Sequence, residues 1–158
     1  GDPRWDAYRE QYLDWYEAEL GTSAVPYDGL LDVVKRLGEA GKRWGVVTNK
    51  FRRFADPLMT AMKFQPPAGS LVTPCDVTKA KPHPEPILLA ARQLQVSPEE
   101  MVYVGDHIRD IQAGNAAGCF TIAVKYGYIE DHDDPDQWGA DLCVNTPQDL
   151  CHWIREQL

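Results

Sequence analysis

Met101-Val102-Tyr103-Val104-Gly105-Asp106-His107-Ile108-Arg109-Asp110 is the stretch from which the rest of the chain can be read. The apolar run Met101 to Val104 has strand character, and Gly105-Asp106 interrupts it. Beyond the break, Ile111, Ala113, Ala116 and Ala117 belong to a helix from about Ile108 that closes at Gly118. The stretch therefore reads strand, tight turn, helix. One acid stands at the end of the strand and a second, Asp110, in the first turn of the helix.

The same alternation continues on both sides. Upstream, a strand from Arg43 to Thr48 precedes a helix from about Arg52 to Lys63. Ser70 to Thr73 is a short strand, and a helix carrying Ile87, Leu88, Leu89, Ala91 and Leu94 follows Pro84. Downstream come a strand from Phe120 to Val124, a short strand from Asp141 to Val144, and a closing helix from about Pro147 to Gln157. Before all of these, a helix capped by Asp28 runs to about Gly41. An amphipathic helix carries Trp5, Tyr8, Tyr12, Trp15 or Tyr16, and Leu20, ending near Gly21. Its aromatic stripe reads as core or inter-domain packing. Strands alternating with helices over short connections imply an α/β chain with a parallel sheet flanked by helices.

At 158 residues the chain has the length for one domain with a core. A formal charge of −8 and a pI near 4.9 argue against nucleic acid or an anionic membrane as partner. A small phosphorylated metabolite is compatible, because local Lys and Mg²⁺ invert the field inside a pocket. Cys75, Cys119, Cys143 and Cys151 show no zinc spacing and read as free thiols of a cytoplasmic protein. No apolar run is long enough to span a membrane. The acids and His132 of the loop Tyr128 to Gln137 read as solvated rather than as a metal site. Oligomeric state stays open.

In open parallel sheets, ligands bind beyond the carboxyl ends of the strands, where helix N-termini also gather. Three segments fall at that edge. Thr48 ends a strand, where its hydroxyl and the following N–H groups can hydrogen-bond a phosphoryl oxygen; the alternative is a Thr-Asn pair capping the next helix. Asn49 and Lys50 serve loop geometry or the non-phosphoryl end of a substrate. Lys81, in Lys81-Pro82-His83-Pro84, is placed to neutralise both a phosphoryl group and a carboxylate, and is preferred over Lys79. His83 reads as a helix-start residue. Asp106 and Asp110 can face one site and hold Mg²⁺, which takes oxygen ligands and keeps several waters.

Nearly the whole chain resembles the phosphoglycolate-phosphatase-like branch of the haloacid dehalogenase (HAD) superfamily. The likeness rests on Pro26-Tyr27-Asp28-Gly29, Trp44 to Lys50, Lys81 to Pro86, Val104 to Gly118, Tyr126-Gly127-Tyr128 and Trp138-Gly139-Ala140-Asp141. Within that branch it is similar to a bacterial subgroup that includes phosphatases for N-acetylmuramic acid 6-phosphate. The resemblance implies a Rossmann-like core, with residues 1–24 the end of a helical cap and 25–158 the core. It also implies a nucleophilic Asp-x-Asp segment on the central strand, between the Thr48 and Asp106 strands. That segment is not found here: Tyr27-Asp28-Gly29-Leu30 echoes it, but Pro26 stands where an Asp is needed. The 158 residues are therefore expected to be part of a longer polypeptide.

The implied activity is Mg²⁺-dependent phosphomonoester hydrolysis through an aspartyl-phosphate. Thr48, Lys81 and Asp110 would act in catalysis, Thr48, Asn49 and Lys81 in substrate binding, and Asp106 and Asp110 in metal binding. Two rivals are a catalytically dead HAD-like binding module and a sugar phosphomutase, which would keep the same residues.

Overall fold

The structure, a computed structural model, describes residues 3–127, 129–130 and 132–158. Gly1, Asp2, Tyr128 and Asp131 lie outside them. Two helices, α1 (Pro3–Ser23) and α2 (Leu30–Glu39), precede the alternating part. There follow β1 (Gly45–Val47), α3 (Arg52–Met62), β2 (Ser70–Val72), α4 (Glu85–Leu94) and β3 (Val102–Gly105). The chain continues through α5 (Ile108–Ala117), β4 (Phe120–Val124), β5 (Leu142–Val144) and α6 (Pro147–Glu156).

All described strand pairings are parallel, as helical crossovers require. They form two sheets rather than one: β1 pairs with β2, and β3, β4 and β5 pair in that order. Register runs Val46 to Leu71 in the first, and Val104 to Ile122 and Ala123 to Cys143 in the second. The cleft-facing edges of β1 and β3 stay apart. The single sheet expected from the alternation is thus split between the Thr48 strand and the Asp106 strand.

One face of both sheets is closed by helices α4 and α5. Ile87 of α4, Tyr103 of β3, Ala113 of α5 and Cys119 form a buried cluster, and Val47 of β1 packs against it. That cluster ties the two sheets together despite the gap. On the opposite face, α6 covers β4 and β5 through Ile122, Val124, Val144 and Leu150. Phe120 stacks on Trp153 with ring centroids 5.5 Å apart. Nothing among the described residues covers Val102 and Val104, which are 43% and 37% exposed.

One expectation changes and a second is met in part. Asp28 does not cap α2. Gly29 is the N-cap residue and takes a left-handed φ of 85°, open to glycine without a Cβ penalty, so no side chain caps the helix. The aromatic stripe of α1 meets this core only at its C-terminal end, and Trp5, Tyr8, Tyr12 and Trp15 are exposed. Tyr16 instead meets the edge of Phe54 on α3, and Leu20 is buried. Around them Arg53 of α3 binds Asp14 and lies 2.6 Å from Glu17 and 3.4 Å from Glu10, three acids of α1. The second anchor is Lys50, whose ammonium hydrogen-bonds the Tyr16 hydroxyl and lies 4.8 Å from its ring centroid.

The four cysteines are free, with Cys119 and Cys151 buried, Cys143 partly buried and Cys75 exposed. No group of three or more metal-binding side chains occurs among the described residues. In the acidic loop, Asp136 pairs with Lys125 at 2.6 Å and Asp133 accepts from the Trp138 indole. No described helix is long and apolar enough to cross a membrane.

Candidate active site

The gap between β1 and β3 is a cleft of about 310 Å³ at the carboxyl ends of the strands. One wall is Val46, Val47 and Thr48; the other is Val104, Gly105 and Asp106. Lys81 and Asp110 lie between them, and Tyr27, Tyr126 and Gly127 close the side. Thr48, Lys81, Asp106 and Asp110 therefore come together from three separate segments. Lys79 does not join them; its backbone N–H donates to Glu85.

Lys81 is the hub. Its ammonium lies 2.7 Å from Asp110 Oδ1, and both side chains are nine-tenths buried. It also donates to the Val47 carbonyl at 3.0 Å and to the Tyr103 hydroxyl at 3.1 Å. An ammonium has three protons, and here each has an acceptor. One residue thus spans the end of β1, the middle of β3 and the first turn of α5. Burial, with the nearby Asp110 carboxylate next in effect, pushes the Tyr103 phenol far above its ordinary pKa. Tyr103 stays neutral beside Lys81 and accepts its hydrogen bond.

Asp106 is exposed to the cleft, and none of its side-chain oxygens has a described hydrogen bond or ion pair. Its position depends on Gly127: a Cβ there would lie 2.4 Å from Asp106 Cβ and 2.6 Å from Oδ2. Gly105 does the same for Asp110, whose Cβ would be only 2.2 Å from an added methyl. Such separations are far inside contact distance, so both carboxylates sit where they do because two glycines leave room. Tyr126, pushed up to about 12 by burial, remains a neutral phenol. Its carbonyl accepts from the Tyr27 hydroxyl at 3.3 Å, which fixes the loop containing Gly127.

Thr48 does not cap α3; Phe51 is the N-cap residue, and Thr48 Oγ1 accepts from the Lys50 backbone N–H at 3.1 Å. Asn49 donates to the Lys81 carbonyl at 3.2 Å, clamping one loop to the other. His83 Nδ1 accepts from the Glu85 N–H at the start of α4. Tyr103 and Gly127 were not singled out as site residues from the sequence. Tyr103 appears there only within the strand Met101 to Val104, and Gly127 only within a segment that carries the resemblance.

The family model for haloacid dehalogenase-like hydrolases matches residues 2–124. The chain belongs to that family. Among curated relatives, the N-acetylmuramic acid 6-phosphate phosphatase of Pseudomonas aeruginosa is 43% identical over 148 residues, covering 94% of this chain. The phosphoglycolate phosphatase of Xanthomonas campestris pv. campestris is 39% identical over 145 residues, covering 92% of this chain. The chain spans 66% of the length of each, just under two thirds. A hydrolase from Pseudomonas syringae shares the fold with a TM-score of 0.81 at 22% identity, covering 99% of this chain and 70% of that one. The HAD-like Rossmann core expected from the sequence is thus present.

Proposed function

We propose that this chain forms most of the core of a cytoplasmic, Mg²⁺-dependent phosphomonoester phosphatase acting on N-acetylmuramic acid 6-phosphate or 2-phosphoglycolate. The observation that carries the reading is the convergence of Thr48, Lys81, Asp106 and Asp110 on one cleft at the strand ends. Residues 1–24 are read as the end of a cap and 25–158 as the core. A further strand of the whole protein, bearing the nucleophilic Asp, occupies the gap between β1 and β3.

In this reading the upstream carboxylate attacks phosphorus and the bond from phosphorus to the substrate oxygen breaks. The leaving oxygen takes a proton from a second upstream acid, and water then releases inorganic phosphate. The Thr48 hydroxyl and the Lys81 ammonium hold oxygens of the phosphoryl group as charge builds on them. Asp110 fixes Lys81 in place through the buried 2.7 Å pair. The donor set fits Mg²⁺, which is commonly held by one or two carboxylates together with waters and substrate phosphate. Asp106, whose carboxylate is unengaged, would hold it, with the second oxygen of Asp110 the next candidate. When bound, the cation supplies positive charge that offsets the repulsion between nucleophile and phosphate.

Asp106→Asn in the whole protein is expected to lower Mg²⁺-dependent phosphate release roughly a hundredfold or more. Unchanged turnover would remove the central support of this reading. Gly127→Ala acts on the same group indirectly. The added methyl displaces the Asp106 carboxylate, and the Mg²⁺ concentration needed for half-maximal activity is expected to rise about tenfold. A titration of activity against Mg²⁺ checks it; an unshifted curve means that Asp106 does not hold the ion.

A further inference from the structure

Next to the cleft lies a larger groove of about 750 Å³, continuous with it through Thr48, Lys81, Asp106 and Asp110. It extends to Lys50, His107, Arg109, Glu130, His132 and Asp133. Most charges on its walls are already engaged. Lys50 is bound to Tyr16, Glu130 lies 3.3 Å from His132, and Asp133 accepts from the Trp138 indole at 2.6 Å. Arg109 is different. Among the described contacts its guanidinium has no ion pair and no side-chain hydrogen bond, in a chain where acids outnumber Lys and Arg by 24 to 16. An arginine left unpaired in so acidic a chain, on the wall of a groove, has its planar fork available for an incoming carboxylate.

His107 supports it. Its Nδ1 accepts from the Arg109 backbone N–H at 3.2 Å, which leaves the proton of the neutral ring on Nε2. The ring stacks on Trp138, with centroids 6.4 Å apart and planes 27° off parallel, and Trp138 is itself held by Asp133. The imidazole is therefore fixed in one tautomer with an N–H donor left for a ligand.

We propose that Arg109 and His107 Nε2–H form a carboxylate subsite, so that the substrate is a phosphomonoester that also carries a carboxylate. The inference rests on the phosphatase reading above, and both substrates considered there are carboxylic acids.

The test compares N-acetylmuramic acid 6-phosphate with N-acetylglucosamine 6-phosphate, which lacks the lactyl ether bearing the carboxylate. In the whole protein, Arg109→Gln is expected to raise KM for the first at least tenfold with kcat within about twofold, and to leave KM for the second unchanged. Arg109→Lys is expected to recover part of the loss. Equal effects on both substrates, or none on either, overturn the subsite. If the unaltered protein hydrolyses neither compound, nor 2-phosphoglycolate, the phosphatase reading fails separately. Calorimetric binding of the same two compounds in EDTA then decides: a preference for the carboxylate lost in Arg109→Gln supports the subsite, and no preference overturns it.

Discussion

Replacing Lys81 by Met in the whole protein is expected to cost both activity and stability, by different routes. Phosphate release should fall roughly a hundred- to a thousandfold, because a cation aimed at the transferring oxygens is removed. Stability should fall by about 3–5 kcal/mol, because Asp110 is left as an uncompensated buried charge. The two losses can be separated. Adding Asp110→Asn removes the stranded charge and should return most of the unfolding midpoint, while activity stays low. A Lys81→Met variant with kcat within tenfold of the unaltered protein would deny Lys81 its catalytic part. A double variant no more stable than the single one would deny that the 2.7 Å pair matters to folding.

The second large effect concerns the gap between β1 and β3. Each backbone hydrogen bond formed across the gap contributes roughly 0.5–1.5 kcal/mol net, and both strand edges face the cleft. Completion of the sheet by a further strand is therefore expected to raise the unfolding midpoint by about 10 °C or more, at roughly 2–4 °C per kcal/mol. The local chemistry changes as well. The Val47 carbonyl, taken here by Lys81, acquires a backbone partner, and one Lys81 proton becomes free for a phosphoryl oxygen. Hydrogen exchange on the 158-residue chain and the whole protein checks this. Equal protection of β1 and β3 in both, with equal midpoints, would show that the gap needs no occupant.

The parts of the fold that could be read from sequence are those with local boundaries. Helix α5, Ile108–Ala117, and strand β4, Phe120–Val124, match their expected limits because Gly118 stops the one and a bounded apolar run defines the other. Thr48, Lys81, Asp106 and Asp110 could be picked out because each sits where a strand or loop meets a helix. Tyr103 could not: alternation marks it as inward-facing, but not that its hydroxyl reaches Lys81. Gly127 stands in a segment that carries the family resemblance, yet its role could not be read there, since what it avoids is a clash with Asp106, distant in sequence. Asp28 misleads because a capping residue type stands one place ahead of a glycine that makes the turn by itself. On α1, helical spacing places Trp5, Tyr8, Tyr12, Tyr16 and Leu20 along one side, yet spacing does not tell how much of that side this core covers.

That orientation of α1 has a consequence for the groove. Besides the Tyr16–Phe54 contact and the buried Leu20, α1 is tied to the core by charge, with Arg53 of α3 among three of its acids, and by Lys50 on Tyr16. Lys50 is also a groove residue. Exposed ion pairs fade as the screening length shrinks from about 10 Å at 0.1 M salt to about 3 Å at 1 M. Ionic strength therefore acts as a dial on how firmly the first helix grips the lip of that groove.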